Sequence, residues 1–217
     1  LTRRSWAEYG VSSAEWQTNL AIGMKACLVR AIPIVPIALG WGSSVEAVGW
    51  VIAVVLMVWI MNRQKPVRSG RGNLIVTVSL LVLPILVALA MGSLSVVIAS
   101  TVVWQFFLSG FGEEFAYRGY TQSRLNQAFG RPAHLFGIQF GPGLVIASLL
   151  FGLLHAFNSF RPALGFSSLG WGSAIASFVA GLFFGVLREK TGTLVAPGIA
   201  HGLLDAVGEP LRKVFGI

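Results

Sequence analysis

Apolar runs of close to twenty residues recur along this chain, with few charges between them. A helix needs about 20 apolar residues to cross a hydrocarbon core. Lipid leaves no water to satisfy an exposed backbone, so such runs fold as helices packed against one another. Composition agrees, with 55% of the 217 residues hydrophobic, 11% charged and a mean hydropathy of +0.75. A transmembrane barrel is excluded, because its strands of about ten residues alternate polar and apolar, whereas these runs are apolar on all sides. The expected fold class is all-α, a polytopic helical transmembrane bundle with about seven spans. No internal repeat, low-complexity tract or linker interrupts it, so residues 1–217 are read as one membrane-embedded domain.

A net charge of +8 would suit nucleic acid, but the basic residues sit in short loops. The positive-inside rule accounts for that placement, and no nucleic-acid partner is expected. Arg63, Lys65, Arg68 and Arg71 form one loop group, Arg118, Arg124 and Arg131 a second, and Arg188 with Lys190 a third. The loops between them carry only Arg161. That alternation puts the N-terminus and the end of the fourth span in the cytoplasm, against which Arg212 and Lys213 stand. The single cysteine, Cys27, excludes an internal disulfide and a cysteine-based metal site.

Residues 1–19 mix Arg3, Arg4, Glu8 and Glu15 with Trp6 and Trp16, which suits a membrane-surface segment rather than a signal peptide. The first span is expected over residues 20–39, where Pro33 and Pro36 kink it and Lys25 and Arg30 snorkel outward. Further spans follow at 45–61 and 74–91. The fourth starts at Val96 and continues through Arg118 and Arg124 until Gly130-Arg131-Pro132 stops it. Residues 133–143 make a Gly/Pro-rich connection, and spans at 144–157, 171–187 and 194–207 complete the chain.

Few polar groups lie inside these spans: Glu113, Glu114 and Arg118 on the fourth, His155 on the fifth, His201 and Asp205 on the seventh. An ionisable group within a span is a functional-site hypothesis by default. Glu114 and Arg118 are one helical turn apart and can pair; Glu113 points about 100° away, free for another partner. His201 and Asp205 share a face in the same manner. Each feature also has a plain structural reading. Glu114 with Arg118 makes an ion pair, His155 an interhelical hydrogen bond, and His201 with Asp205 a polar clamp. His134, in the Gly/Pro connection, is expected to carry no chemistry. Taken together, groups on three apolar spans would cost several kcal/mol unless they met in one polar pocket. A carboxylate and a histidine suffice to hold and deprotonate a water molecule, and two further polar groups to stabilise an oxyanion.

Glu113-Glu114-x-x-x-Arg118, Phe151-x-x-x-His155 and His201-x-x-x-Asp205 resemble, in order, the three motifs of the CPBP intramembrane proteases. That family comprises CAAX prenyl endopeptidases and bacteriocin-processing or immunity (Abi) proteins. The motif-bearing region covers residues 96–207. The resemblance implies a glutamate-type endopeptidase, formerly described as a metalloprotease, that activates water without a covalent intermediate. On that basis Glu113 is the general base and His155 its partner in holding the water. His201 and Asp205 stabilise the oxyanion, while Glu114 and Arg118 brace the site or orient the substrate. Position 205 is often Asn among the prenyl proteases; a carboxylate only accepts hydrogen bonds, so Asp205 serves either as the protonated acid or by orienting His201. No cofactor is expected, although Glu113, His155 and His201 with a water would also make an acceptable zinc site. The expected partners are the bilayer and a membrane-associated protein or peptide substrate, lipid-modified in the prenyl-protease reading. The expected location is a prokaryotic cell membrane, with the site opening toward the cytoplasm. A proton- or cation-coupled transporter and a non-catalytic membrane partner are the rival readings of the same pocket.

Overall fold

The apolar runs fold as helices, and a computed structural model describes residues 5–216 of the chain. Arg3 and Arg4 of the expected surface segment lie outside the described residues. After a single turn at Trp6–Tyr9 come α1 (Trp16–Val29), α2 (Ala31–Ala38), α3 (Ser43–Arg63), α4 (Arg71–Ala90) and α5, which runs unbroken over Val96–Phe129. Two short strands, β1 (Ala133–Leu135) and β2 (Ile138–Phe140), precede α6 (Pro142–Ala156), α7 (Trp171–Thr191) and α8 (Val195–Phe215). Local chemistry sets several boundaries. Ser95 Oγ accepts from Ile98 N at the start of α5, while Gly130 (φ 72°) ends α5 at a positive φ and Gly192 (φ 69°) ends α7 in a left-handed turn.

Among the described residues, six stretches are long and apolar enough to cross a membrane: Trp16–Pro36, α3, α4, α5, Pro142–Ser159 and α7. The seventh expected span is α8. It extends to Phe215 rather than ending at residue 207, and its 21 residues include Asp205, Glu209, Arg212 and Lys213. This polar helix is the centre of the bundle, packed against α1, α4, α5 and α7. Every residue from Ala196 to Leu203 is buried. The connection at 133–143, expected as a loop, forms an antiparallel hairpin pairing Ala133 with Phe140 and Leu135 with Ile138. Its two-residue turn has positive φ at both Phe136 and Gly137, the arrangement that matches the twist of paired strands. Asn62 Nδ2 donates to Phe136 O and Lys190 Nζ to Gly137 O, pinning the hairpin to α3 and α7.

The helix α5 is not a regular α-helix throughout. Trp104–Gly112 and Phe115–Gln122 are wound as wider π turns on either side of the Glu113-Glu114 pair. Thr121 Oγ1 and Ser123 Oγ each bond back five residues, to Ala116 O and Arg118 O. Such stretches are rare and tend to fall at functional sites.

Helices in lipid associate through close packing rather than a hydrophobic drive, and small residues let their backbones touch. Here α5 and α8 cross at Gly110 and Gly202: a Cβ added to Gly202 would lie 2.7 Å from Phe106 O. On α1, a Cβ at Gly23 would lie 2.9 Å from the Cβ of Ile199. Between α6 and α7 the same role falls to Gly152 and Gly181, against Ala174 O and Ser148. Overpacking such contacts costs about 1–3 kcal/mol. Gly202→Ala is therefore expected to lower the melting temperature of the detergent-solubilised protein. Gly208→Ala, on the same helix but with nothing within 4 Å of the added methyl, should leave it unchanged or raise it. Equal losses in the two variants would show that the crossing does not constrain the bundle.

Candidate active site

The cluster is built outward from Glu114, which is fully buried. Arg118, equally buried, donates from Nη1 to Glu114 Oε1 at 3.0 Å and from Nη2 to Gly181 O at 3.1 Å. Its guanidinium lies 4.4 Å from the centre of the Phe151 ring and 5.3 Å from that of Phe184. Glu114 Oε1 accepts a second bond, from His201 Nδ1 at 2.8 Å. A carboxylate oxygen with a guanidinium already on it acts here as an acceptor, so the proton sits on His201 Nδ1. The His201 ring stacks on Phe184, with centroids 4.8 Å apart and planes 12° from parallel. Its other nitrogen, Nε2, faces Asp205 Oδ2 at 3.7 Å, beyond hydrogen-bonding distance.

Asp205 is held from the other side by Arg30, whose Nη2 is 3.1 Å from Oδ1. Arg30 was expected to snorkel outward. Instead it is buried and donates from Nη1 to Ala200 O (2.6 Å) and His201 O (2.7 Å), with Trp50 and Phe184 beside the guanidinium. The short bend between α1 and α2 aims it at α8 instead of at the surface. Lys25 does reach an exposed position, where it bonds Gln64 Oε1.

Glu113 and His155 stand apart from this network. Glu113 is half-buried; Ser109 Oγ donates to its Oε1 at 3.4 Å, and Oε2 is buried without a partner among the described residues. His155 bonds through Nδ1 to Phe151 O at 2.8 Å; a carbonyl only accepts, so Nδ1 carries the proton and Nε2 is the free acceptor. The rings of His155 and His201 both pack on Phe151, at 4.3 and 6.0 Å. Among the described residues, no hydrogen bond joins Glu113 or His155 to each other or to the Glu114 network.

The expected i,i+4 pairing of Glu114 with Arg118 is present. His201 bonds Glu114, the carboxylate already paired with Arg118, and not Glu113. The reason is the helix crossing at Gly110 and Gly202. Gly110, Glu114 and Arg118 lie one turn apart on a single face of α5, and that face meets α8. His201, next to Gly202, lands on Glu114. Among the described residues, no three His, Cys, Asp or Glu side chains are grouped closely enough to hold a metal ion. His134 lies on β1, near Arg131 and Lys190, and outside the cluster. Sequence reasoning missed Arg30 as a site residue. An arginine inside an apolar run needs a partner, but the sequence does not say which of the carboxylates on the other spans supplies it.

A model of the family described as type II CAAX prenyl endopeptidase Rce1-like matches residues 94–207, a stretch that contains all three motifs and ends with Asp205 inside it. No curated protein and no solved structure matches the chain. With the match covering more than half of its length, and six membrane-crossing stretches around the motifs, the chain belongs to the Rce1-like CAAX endopeptidases of the CPBP intramembrane proteases.

Proposed function

We propose that this multi-pass membrane peptidase hydrolyses its substrate by direct attack of a water molecule activated by Glu113. The observation that carries the reading is the different state of the two adjacent carboxylates. Glu114 Oε1 already accepts from Arg118 and His201, whereas among the described residues Glu113 has one long bond from Ser109 and no ion pair, the second oxygen of each being buried without a partner. Only Glu113 is uncommitted enough to take a proton. In this reading Glu113 removes a proton from water while His155 Nε2 accepts the other hydrogen bond. The hydroxide adds to the peptide carbonyl. The oxyanion accepts a hydrogen bond from His201 Nε2 in the ring that carries a proton on both nitrogens, the ring standing between Glu114 and Asp205. Glu113 then passes its proton to the departing amine, leaving a free carboxylate and a free amino terminus.

A lipid chain on the substrate would need an apolar recess. Such a cavity, of about 530 Å³, lies between α3, α6, α7 and the hairpin, lined by Val58, Trp59, Phe136, Val145, Leu182 and Val186. It opens on a different face of α7 from the one carrying Phe184. The cytoplasmic orientation of the site is supported by the basic loops meeting at one end of the bundle: Lys190 bonds Asn62, Arg131 pairs with Glu189, and Arg188 donates to Glu8 O.

Glu113→Gln should lower the cleavage rate by at least about 10²-fold, with membrane insertion, abundance and melting temperature unchanged; full proteolysis by this variant would end the mechanism. Glu114→Gln should behave differently. Leaving the buried Arg118 guanidinium without its counter-charge costs about 3–5 kcal/mol, so both melting temperature and activity should fall. Val58→Trp, which fills the apolar recess, should raise KM for a prenylated peptide and leave that for the unmodified peptide alone. Equal effects on both substrates would remove the recess from substrate binding.

A further inference from the structure

Arg30 lies far outside the family-matched stretch, yet it is tied to the helix that carries His201 by three bonds. One nitrogen grips the carbonyls of Ala200 and His201 and another the carboxylate of Asp205, while Phe184 and Trp50 wall the guanidinium off. Cys27, one turn earlier on α1, reaches Ile199 O at 3.4 Å, so the contact between the two segments is continuous. A lone carboxylate at position 205 would harm a hydrolytic site of this kind. It lies 3.7 Å from the nitrogen meant to donate to the oxyanion. In a medium of low dielectric it would repel the negative charge that develops there. A guanidinium paired with it cancels that charge, and being planar it can hold two backbone carbonyls and a carboxylate at once.

We propose that Arg30 is a positioning residue of the active site: it neutralises Asp205 and fixes the turn of α8 that presents His201 to the developing oxyanion. The inference rests on the oxyanion role given to His201 above. Arg30 touches no reacting atom; it acts through Asp205 and through the backbone at residues 200 and 201.

The test is a double-mutant cycle of Arg30→Met and Asp205→Asn, with kcat, KM and melting temperature measured on the full chain in proteoliposomes against one peptide substrate. Arg30→Met should lower kcat by at least about 30-fold with KM changed less than about threefold, because the interaction it supports is made in the transition state. The double variant removes the uncancelled carboxylate as well, and should regain at least about tenfold of kcat over Arg30→Met. Arg30→Lys keeps the charge but loses the planar fork, and its kcat should fall between those of the wild type and Arg30→Met. A double variant whose melting temperature recovers while its kcat stays at the Arg30→Met level would overturn the proposal, since Arg30 would then only hold the fold. So would an Arg30→Met protein with lowered melting temperature and unaltered kcat. Should Arg30→Met fail to insert, Arg30→Lys decides: wild-type kcat together with a lowered melting temperature overturns the positioning role. Glu113→Gln is assayed alongside. Cleavage surviving in that variant would bring down the water-activation reading, whereas coupling between residues 30 and 205 is read only with Glu113 intact.

Discussion

A buried ion pair has to be satisfied without water, and the pair Glu114–Arg118 imposes that demand on four helices at once. Two charges brought into an apolar medium are stabilising only if good geometry and further hydrogen bonds offset their desolvation. Each extra partner comes from a different element. Gly181 O on α7 and the Phe151 ring on α6 meet the guanidinium, and His201 on α8 meets the carboxylate. A shift of any of these helices along its axis would leave a fully buried charge short of a partner. The pair therefore serves as a register pin for the bundle. Its net contribution to stability can be small while the cost of breaking it is large.

Short polar bonds between helices require the backbones to come close, and glycine makes that possible. At Gly110 and Gly202 the main chains of α5 and α8 are in contact, and one turn further along α5, at Glu114, the imidazole is within 2.8 Å of the carboxylate. At Gly181 the removal of a side chain does double service: it admits Ser148 of α6 and leaves a carbonyl open to Arg118. The π turns of α5 belong to the same logic. A wider turn frees carbonyls from the regular ladder, and Ala116 O and Arg118 O are taken up by hydroxyls five residues on.

Much of this was legible in the chain itself. Hydropathy located the membrane-crossing stretches, and i,i+4 spacing paired Glu114 with Arg118, because both signals are local. What escaped was set by distance. The partner of His201 depends on which face of α5 meets α8, and that is decided by the glycine crossing rather than by the spacing of Glu113 and Glu114. Arg30 finds its carboxylate 175 residues away. With apolar neighbours before it and Pro33 and Pro36 after it, nothing local tells a snorkelling arginine from an anchored one. The hairpin at 133–140 was hidden by its brevity: strands of three residues carry no readable alternation.

Buried polar atoms without a protein partner separate the working part of the molecule from the structural part. Folded proteins leave few such atoms, and each calls for an explanation. Here they fall in two groups. Gln122 Oε1, Asn126 Oδ1 and Arg188 Nε belong to the adjoining polar ends of α5 and α7, where Glu189 accepts from Gln122, Asn126 and Arg131 and the remaining atoms are left over from a dense network. Arg30 Nε, Arg118 Nε, Glu114 Oε2 and Glu113 Oε2 surround the site. A site that breaks local satisfaction is where function is expected. Of these four, only the Glu113 oxygen belongs to a residue without an ion pair among the described residues. The two neighbouring carboxylates thus answer to different constraints. Glu114 is fixed by the charges that hold the helices in register, and Glu113, relieved of that duty, is the carboxylate left open for the proposed activation of water.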